Sequence, residues 1–222
     1  MFTYNDYSAL VVAMKSKNIF LRHDVDFSLK KAVEFAEMEA SLGVKSTYFI
    51  LTNGQYYNPF YPENIEKIRM IKDLGHRIAL HYDLTSIKDV PADIQALVIQ
   101  ANRALLESAL AIEVTYITFH KPMNGVPPTY DLIKELQLID MIYPDIEKGY
   151  KYISDSGSNW REDPFKVLQE YDNIHINIHP VWWGEEIQGW ETRIHDLKLD
   201  LELDKTIIKE INSIREYRNK VK

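Results

Sequence analysis

Short apolar runs that read as strands alternate with helix-patterned segments along nearly the whole chain, and this alternation limits the fold more than any single motif. The strand-like runs cover residues 19–21, 47–51, 77–81, 114–119, about 139–143, about 151–154 and 174–179. Helical periodicity covers residues 4–16, 28–42, 63–74, 92–110, 129–137, 164–170 and 190–219. Within 28–42 the apolar stripe is Leu29, Ala32, Val33, Phe35, Ala36 and Ala40, and Gly43 stands where a helix stop belongs. Within 63–74, Ile65, Ile68, Ile71 and Leu74 repeat at helical spacing, and Gly75 ends the run. Strands separated by helices pair in parallel through crossovers of one hand. Seven such units predict a distorted (β/α)7 barrel more than an open doubly wound sheet. There is no linker, repeat or low-complexity tract, so residues 1–222 are expected to form a single domain. Its core would lie at about 18–184, with a C-terminal helix at about 190–219.

Composition removes several classes of function. With 222 residues, 45% of them hydrophobic, the chain can bury a full core as one domain. The net charge is −7 and the Lys and Arg residues are scattered, so no nucleic-acid partner is expected. The absence of cysteine excludes disulfides, thiol nucleophiles and thiolate zinc sites. Near the N-terminus the apolar run is only residues 9–13, too short for a secretory leader, and no segment could span a bilayer. A cytoplasmic location without membrane contact is the expectation. No glycine-rich phosphate loop follows any strand.

The chemistry gathers where such folds place it, at the carboxyl ends of the strands. Strand one ends in Arg22-His23-Asp24-Val25-Asp26, and period two puts Asp24 and Asp26 on one face. Two converging carboxylates repel unless a cation or proton lies between them. The plainer reading makes Asp26 or Ser28 the cap of the following helix. His23 faces the other way and is expected to pack in the core. His81, His120 and His179 end strands three, four and seven. In the last of these, Ile174, Ile176 and Ile178 alternate with His175, Asn177 and His179, which fits a strand lining a polar barrel interior or an edge strand with one wet face. His76 and His195 read as surface positions. Asp and His donors without sulfur suit zinc or another first-row divalent ion, and His120 is a candidate ligand beside Asp26 and His81. A carboxylate that does not ligate can act as base, and a histidine opposite as acid.

On these residues the sequence resembles the polysaccharide deacetylase family, the NodB-homology group, as a divergent branch, from about residue 19 to residue 183. The resemblance implies a distorted (β/α)7 barrel of NodB type that removes acetyl groups from sugars with a divalent metal. Its first motif, Thr-Phe-Asp-Asp, is similar to His23-Asp24-Val25-Asp26, which implies Asp24 as general base and Asp26 as metal ligand. Its second, His-Ser/Thr-x-x-His, meets His81 but finds Thr85 where the second histidine stands. His120 or Asp83 could then supply the third ligand, or the site holds its ion weakly or has lost it. In the third motif His120, followed by Lys121-Pro122, occupies the place of the family's arginine. The fourth, an Asp followed closely by Trp, is approximated by Asp155 and Trp160, and the fifth by Asn177-Ile178-His179, which implies His179 as general acid. With the family arginine displaced, Arg161 is a candidate to steady Asp24 or bind substrate; alternatively it pairs with Glu162 or Asp163. Trp160 and Trp182 are candidates to stack on a sugar ring, and Trp182 and Trp183 could equally be core.

The leading expectation is a deacetylase of a small amino sugar or related carbohydrate. A hydrolase of another C–N amide bond, such as a cyclic imide or ureide, keeps the same site. An inactive relative that binds carbohydrate, and a glycosyltransferase using Asp24-Val25-Asp26 as a metal–diphosphate motif, are the alternatives. The strand-seven histidine opposes the last of these.

Overall fold

The computed structural model describes residues 2–121, 126–140 and 149–200, with side chains to residue 197. Among the described residues, seven strands form one wholly parallel sheet: β1 (Asn18–Val25), β2 (Thr47–Leu51), β3 (Arg77–Tyr82), β4 (Tyr116–Phe119), β5 (Ile139–Asp140), β6 (Lys151–Ser154) and β7 (Asn173–Ile178). Their spatial order is β5-β4-β3-β2-β1-β7-β6. The sheet curls into a distorted (β/α)7 half-barrel of NodB type with β2 at its centre. Among the described residues β5 and β6 do not pair, so the barrel is open along that side.

The helices are α1 (Tyr4–Met14), α2 (Leu29–Ser41), α3 (Pro62–Asp73), α4 (Ala92–Leu110), α5 (Tyr130–Leu136), α6 (Pro164–Glu170) and α7 (Trp190–Asp200). Their starts follow from local chemistry. Ser28 caps α2 by accepting from the Lys31 amide, so the cap is Ser28 and Asp26 is left for other work. Thr3 and Asp6 form a reciprocal capping box on α1. Gly43 and Gly75 end α2 and α3 at φ +73° and +94°, a conformation that costs glycine little.

Parallel pairing sets which side chains share a face. The registers Phe20↔His175, Arg22↔Asn177, Asp24↔Phe49 and Leu51↔His81 put alternate residues of neighbouring strands on the concave side. There Phe49 and Ala79 form a small apolar cluster with Phe20 and Tyr116. The opposite face carries the main core, where Val25, Ile50, Leu80, Ile117, Ile174, Ile176 and Ile178 meet the helices. The three isoleucines of β7 thus pack under helices, and its polar residues face the barrel interior.

His23 lies in that outer core, fully buried, with Nε2 2.8 Å from Glu39 Oε1 and its ring stacked on Tyr48. Glu39 also accepts from Ser46, Tyr48 and Tyr7. His76 belongs to the same buried network, which corrects its reading as a surface residue: its Nε2 faces the Ala36 carbonyl, and the Ser46 amide donates to its Nδ1. His195 is exposed.

The described residues up to 187 form one compact unit, and those from 188 belong to a second, which holds helix α7. The expected helix beyond residue 200, the expected strand beyond residue 140 and the turn at 122–125 lie outside the described residues. Among the described residues no helix is long and apolar enough to cross a membrane.

Candidate metal centre and acid–base site

The ends of β1, β3 and β4 bring Asp26, His81 and His120 together, with one donor atom of each within 4.8 Å of the others. His81 Nε2 and His120 Nδ1 each stand 3.2 Å from Asp26 Oδ1, and all three residues are buried. Thr118, the register partner of His81 on β4, sets the orientation of that ring. Its carbonyl lies 3.0 Å and its hydroxyl 2.8 Å from His81 Nδ1. A carbonyl can only accept, so the proton sits on Nδ1 and Nε2 is turned toward Asp26.

These donors fit a divalent ion. Two imidazole nitrogens and one carboxylate oxygen, without sulfur, make a three-ligand set that leaves a position open. Burial works to raise the Asp26 pKa, but contacts with His120 and His81 and the charge of His179 outweigh it and hold the carboxyl well below its usual range. Burial also opposes the charge on His81, yet Asp24 and Asp26 raise its affinity for a proton, and a cation competes for the same lone pair. Thr85, at the position of the absent histidine, is exposed on the short turn after β3. Asp83 caps that turn by accepting from the Thr85 amide.

Asp24 lies one pleat below Asp26 and is held differently. Arg22 Nη2 donates to its Oδ2 at 2.9 Å, and Asn177 Nδ2 donates to the same oxygen at 3.0 Å. Arg22 and Asn177 are register partners on β1 and β7, so the backbone aligns both donors beneath the carboxylate. Burial would raise the Asp24 pKa; the charges of Arg22, His81 and His179 together lower it. The cation beside Asp24 is therefore Arg22, on the same strand face, while Arg161 is exposed.

His179 follows β7 and faces the two carboxylates, with Nε2 3.9 Å from Asp24 and 3.8 Å from Asp26. Its Nδ1 lies 2.6 Å from Asp155 Oδ1, and its amide donates to both Asp155 oxygens. Desolvation disfavours the imidazolium, but the Asp155 charge and hydrogen bond, with Asp26 and Asp24 behind them, push the pKa up to about 9. Trp160 is half-buried, edge-on to Trp183 at 6.5 Å. Trp182 is half-buried and tilted against Phe27, the residue after Asp26, at 6.0 Å.

Asp24, Asp26, His81, His120 and His179 thus converge, while Trp160 and Arg161 lie on the loop after β6 and Trp182 ends the short 3-10 turn that follows His179. Arg22, Thr118 and Asn177 complete the cluster although no motif points to them, and Asp155, the aspartate that approximates the fourth motif, joins it as the partner of His179. For Arg22 and Asn177 the signal was available: each stands two residues before a site residue, on the same face of its strand.

No family model and no curated protein matches the chain. Solved structures do match in fold. A CE4 family pseudoenzyme from Bacillus anthracis superposes with a TM-score of 0.51 at 16% identity, covering 84% of this chain and 62% of that one. The Xyl-CE4 domain of a multidomain xylanase from the hindgut metagenome of Trinervitermes trinervoides gives 0.52 at 15%, covering 86% and 84%. The chitin deacetylase from Colletotrichum lindemuthianum gives 0.51 at 12%, covering 82% of each. This chain therefore spans under two thirds of the length of the Bacillus protein. At these identities the likeness is one of fold.

Proposed function

We propose that this chain is a metal-dependent hydrolase that removes an acetyl group from an amino sugar or related small carbohydrate. The observation that carries the reading is the convergence of Asp26, His81 and His120 on one point, with Asp24 and His179 both facing it. The neighbours named as a chitin deacetylase and a xylanase CE4 domain support the substrate class.

Asp26, His81 and His120 would hold the ion, and zinc is the choice for such donors. A divalent ion there supplies Lewis acidity, which makes water nucleophilic near neutral pH and polarises the acyl oxygen. Asp24 stays ionised because Arg22 offsets its burial, and so it can accept a proton from the attacking water. The second proton of His179, on Nε2, is retained at neutral pH because Asp155 holds Nδ1–H. His179 then delivers it to the departing nitrogen as the C–N bond breaks, and acetate and the free amine leave. Trp160, Trp182 and Arg161 are the proposed contacts to the sugar.

The test is hydrolysis of a panel of compounds by wild type, Asp24→Asn and His179→Ala, read as acetate release from N-acetylated sugars and as ring opening of cyclic imides and ureides, with zinc content measured in each. Each variant should lose about 10²–10⁴-fold in rate and keep its metal. Full activity in Asp24→Asn would remove the base. Turnover of the imides or ureides alone would keep the site and replace the substrate. Sugar binding without turnover would place the chain beside the Bacillus pseudoenzyme.

A further inference from the structure

His179 is held by a series of contacts that starts at the opposite end of the sequence. Asp155, its partner, is fully buried and uses its second oxygen, Oδ2, to accept from Trp183 Nε1 at 2.8 Å. Trp183 is 1% exposed and enclosed by rings. Phe2 lies edge-on at 5.1 Å, Tyr7 at 5.4 Å and Phe35 at 6.1 Å. The backbone is fixed as well: the Tyr4 amide donates to the Gly184 carbonyl at 2.9 Å, and the Gly184 amide donates to the Phe2 carbonyl at 3.2 Å.

We propose that Trp183 is a positioning residue for the His179–Asp155 pair, and that residues 2–7 hold Trp183 in place. The inference rests on the reading of His179 as general acid. The His179 amide lies within 3.1 Å of both Asp155 oxygens, so it locates the carboxylate without choosing between them. The indole N–H makes that choice. An indole nitrogen can only donate, so Oδ2 is committed to Trp183 and Oδ1 is left for His179 Nδ1. Removing the donor strands a buried carboxylate oxygen and frees the group to turn, which loosens the imidazole it aims. A tryptophan that served only to fill space would act through its ring and not through its N–H, and the two roles separate on substitution.

Trp183→Phe keeps most of the ring area and deletes the donor. Its kcat for deacetylation should fall about 10- to 100-fold, the scale for groups that support a site from behind, with KM unchanged. Phe2→Ala should lower the same parameter by less and also leave KM alone. A second readout needs no substrate: the Nδ1 proton of His179, shielded from solvent in the wild type, gives a low-field NMR signal that should broaden by exchange in Trp183→Phe. If the wild type deacetylates nothing, the functional reading falls, while this signal still decides the positioning role. A folded Trp183→Phe that keeps both kcat and the signal overturns the proposal. Should that variant not fold, Phe2→Ala with both readouts at wild-type values overturns it.

Discussion

Replacing Asp155 by Asn should flatten the alkaline stability profile of the metal-free protein. In the wild type the His179 imidazole rises from an ordinary value near 6.5 to about 9. At roughly 1.4 kcal/mol per tenfold change in proton affinity, that is worth about 3 kcal/mol. The sign follows from the raised pKa. Below pH 6.5 the imidazole is charged in both the folded and unfolded chains, and its full contribution is present. As pH rises through about 9 the folded chain loses the proton too, and the contribution is gone. Asp155→Asn removes the largest favourable influence on that charge. The variant should therefore be less stable than wild type by about 3 kcal/mol or more at pH 6.5, and the gap should narrow by about that amount toward pH 9.5. Urea denaturation of both proteins across this range measures the gap, and His81, common to both, cancels. Chelation beforehand matters because a divalent cation near the imidazole would lower its pKa. A gap that stays constant from pH 6.5 to 9.5 would refute the pairing of His179 with Asp155 as the source of the shift.

Arg22→Met should destabilise the fold by about 3–5 kcal/mol in denaturant titrations, because it leaves the Asp24 carboxylate buried without its cation. His120→Ala should weaken zinc binding at least about tenfold by calorimetry, since one of about three protein ligands is gone, whereas Thr85→Ala should change nothing. Glu39→Gln should flatten the acid side of the stability curve. Burial works to raise the Glu39 pKa, but His23, Ser46 and Tyr7 bring it below its ordinary 4.5, so its contribution is present above that pH and is lost as pH falls. Acid titrations of the two proteins that run in parallel would contradict this.

Most of the architecture was legible because it depends on local pattern. The period-two alternation of β7, the stop glycines of α2 and α3 and the clustering of Asp24, Asp26, His81, His120 and His179 at strand ends all follow from chain geometry. What stayed hidden depends on contacts between distant residues. His76 sits between a glycine and an arginine and reads locally as a polar turn, but its partners are the Ala36 carbonyl and Ser46. Glu39 lies on the buried stripe of α2 beside Ala32, Phe35 and Ala36, and the tyrosines and histidine brought in by α1, β1 and β2, with Ser46, make that position tolerable. With His120 in place of the third motif's arginine, the resemblance points to Arg161, directly after Trp160 of the fourth motif, as the cation for Asp24. Register pairing with Asn177 puts Arg22 there instead. β4 begins at Tyr116, two residues later than the apolar run, because the Val114 amide is drawn to Glu107 at the end of α4.

The most direct test of the account is acetate release from N-acetylated sugars by the purified chain before chelation, after it, and after zinc is restored, with bound zinc measured in the same samples. The account predicts release that disappears with the metal and returns at one zinc per chain. Stoichiometric zinc with no acetate released from any sugar, or release that persists in metal-free protein, would contradict it.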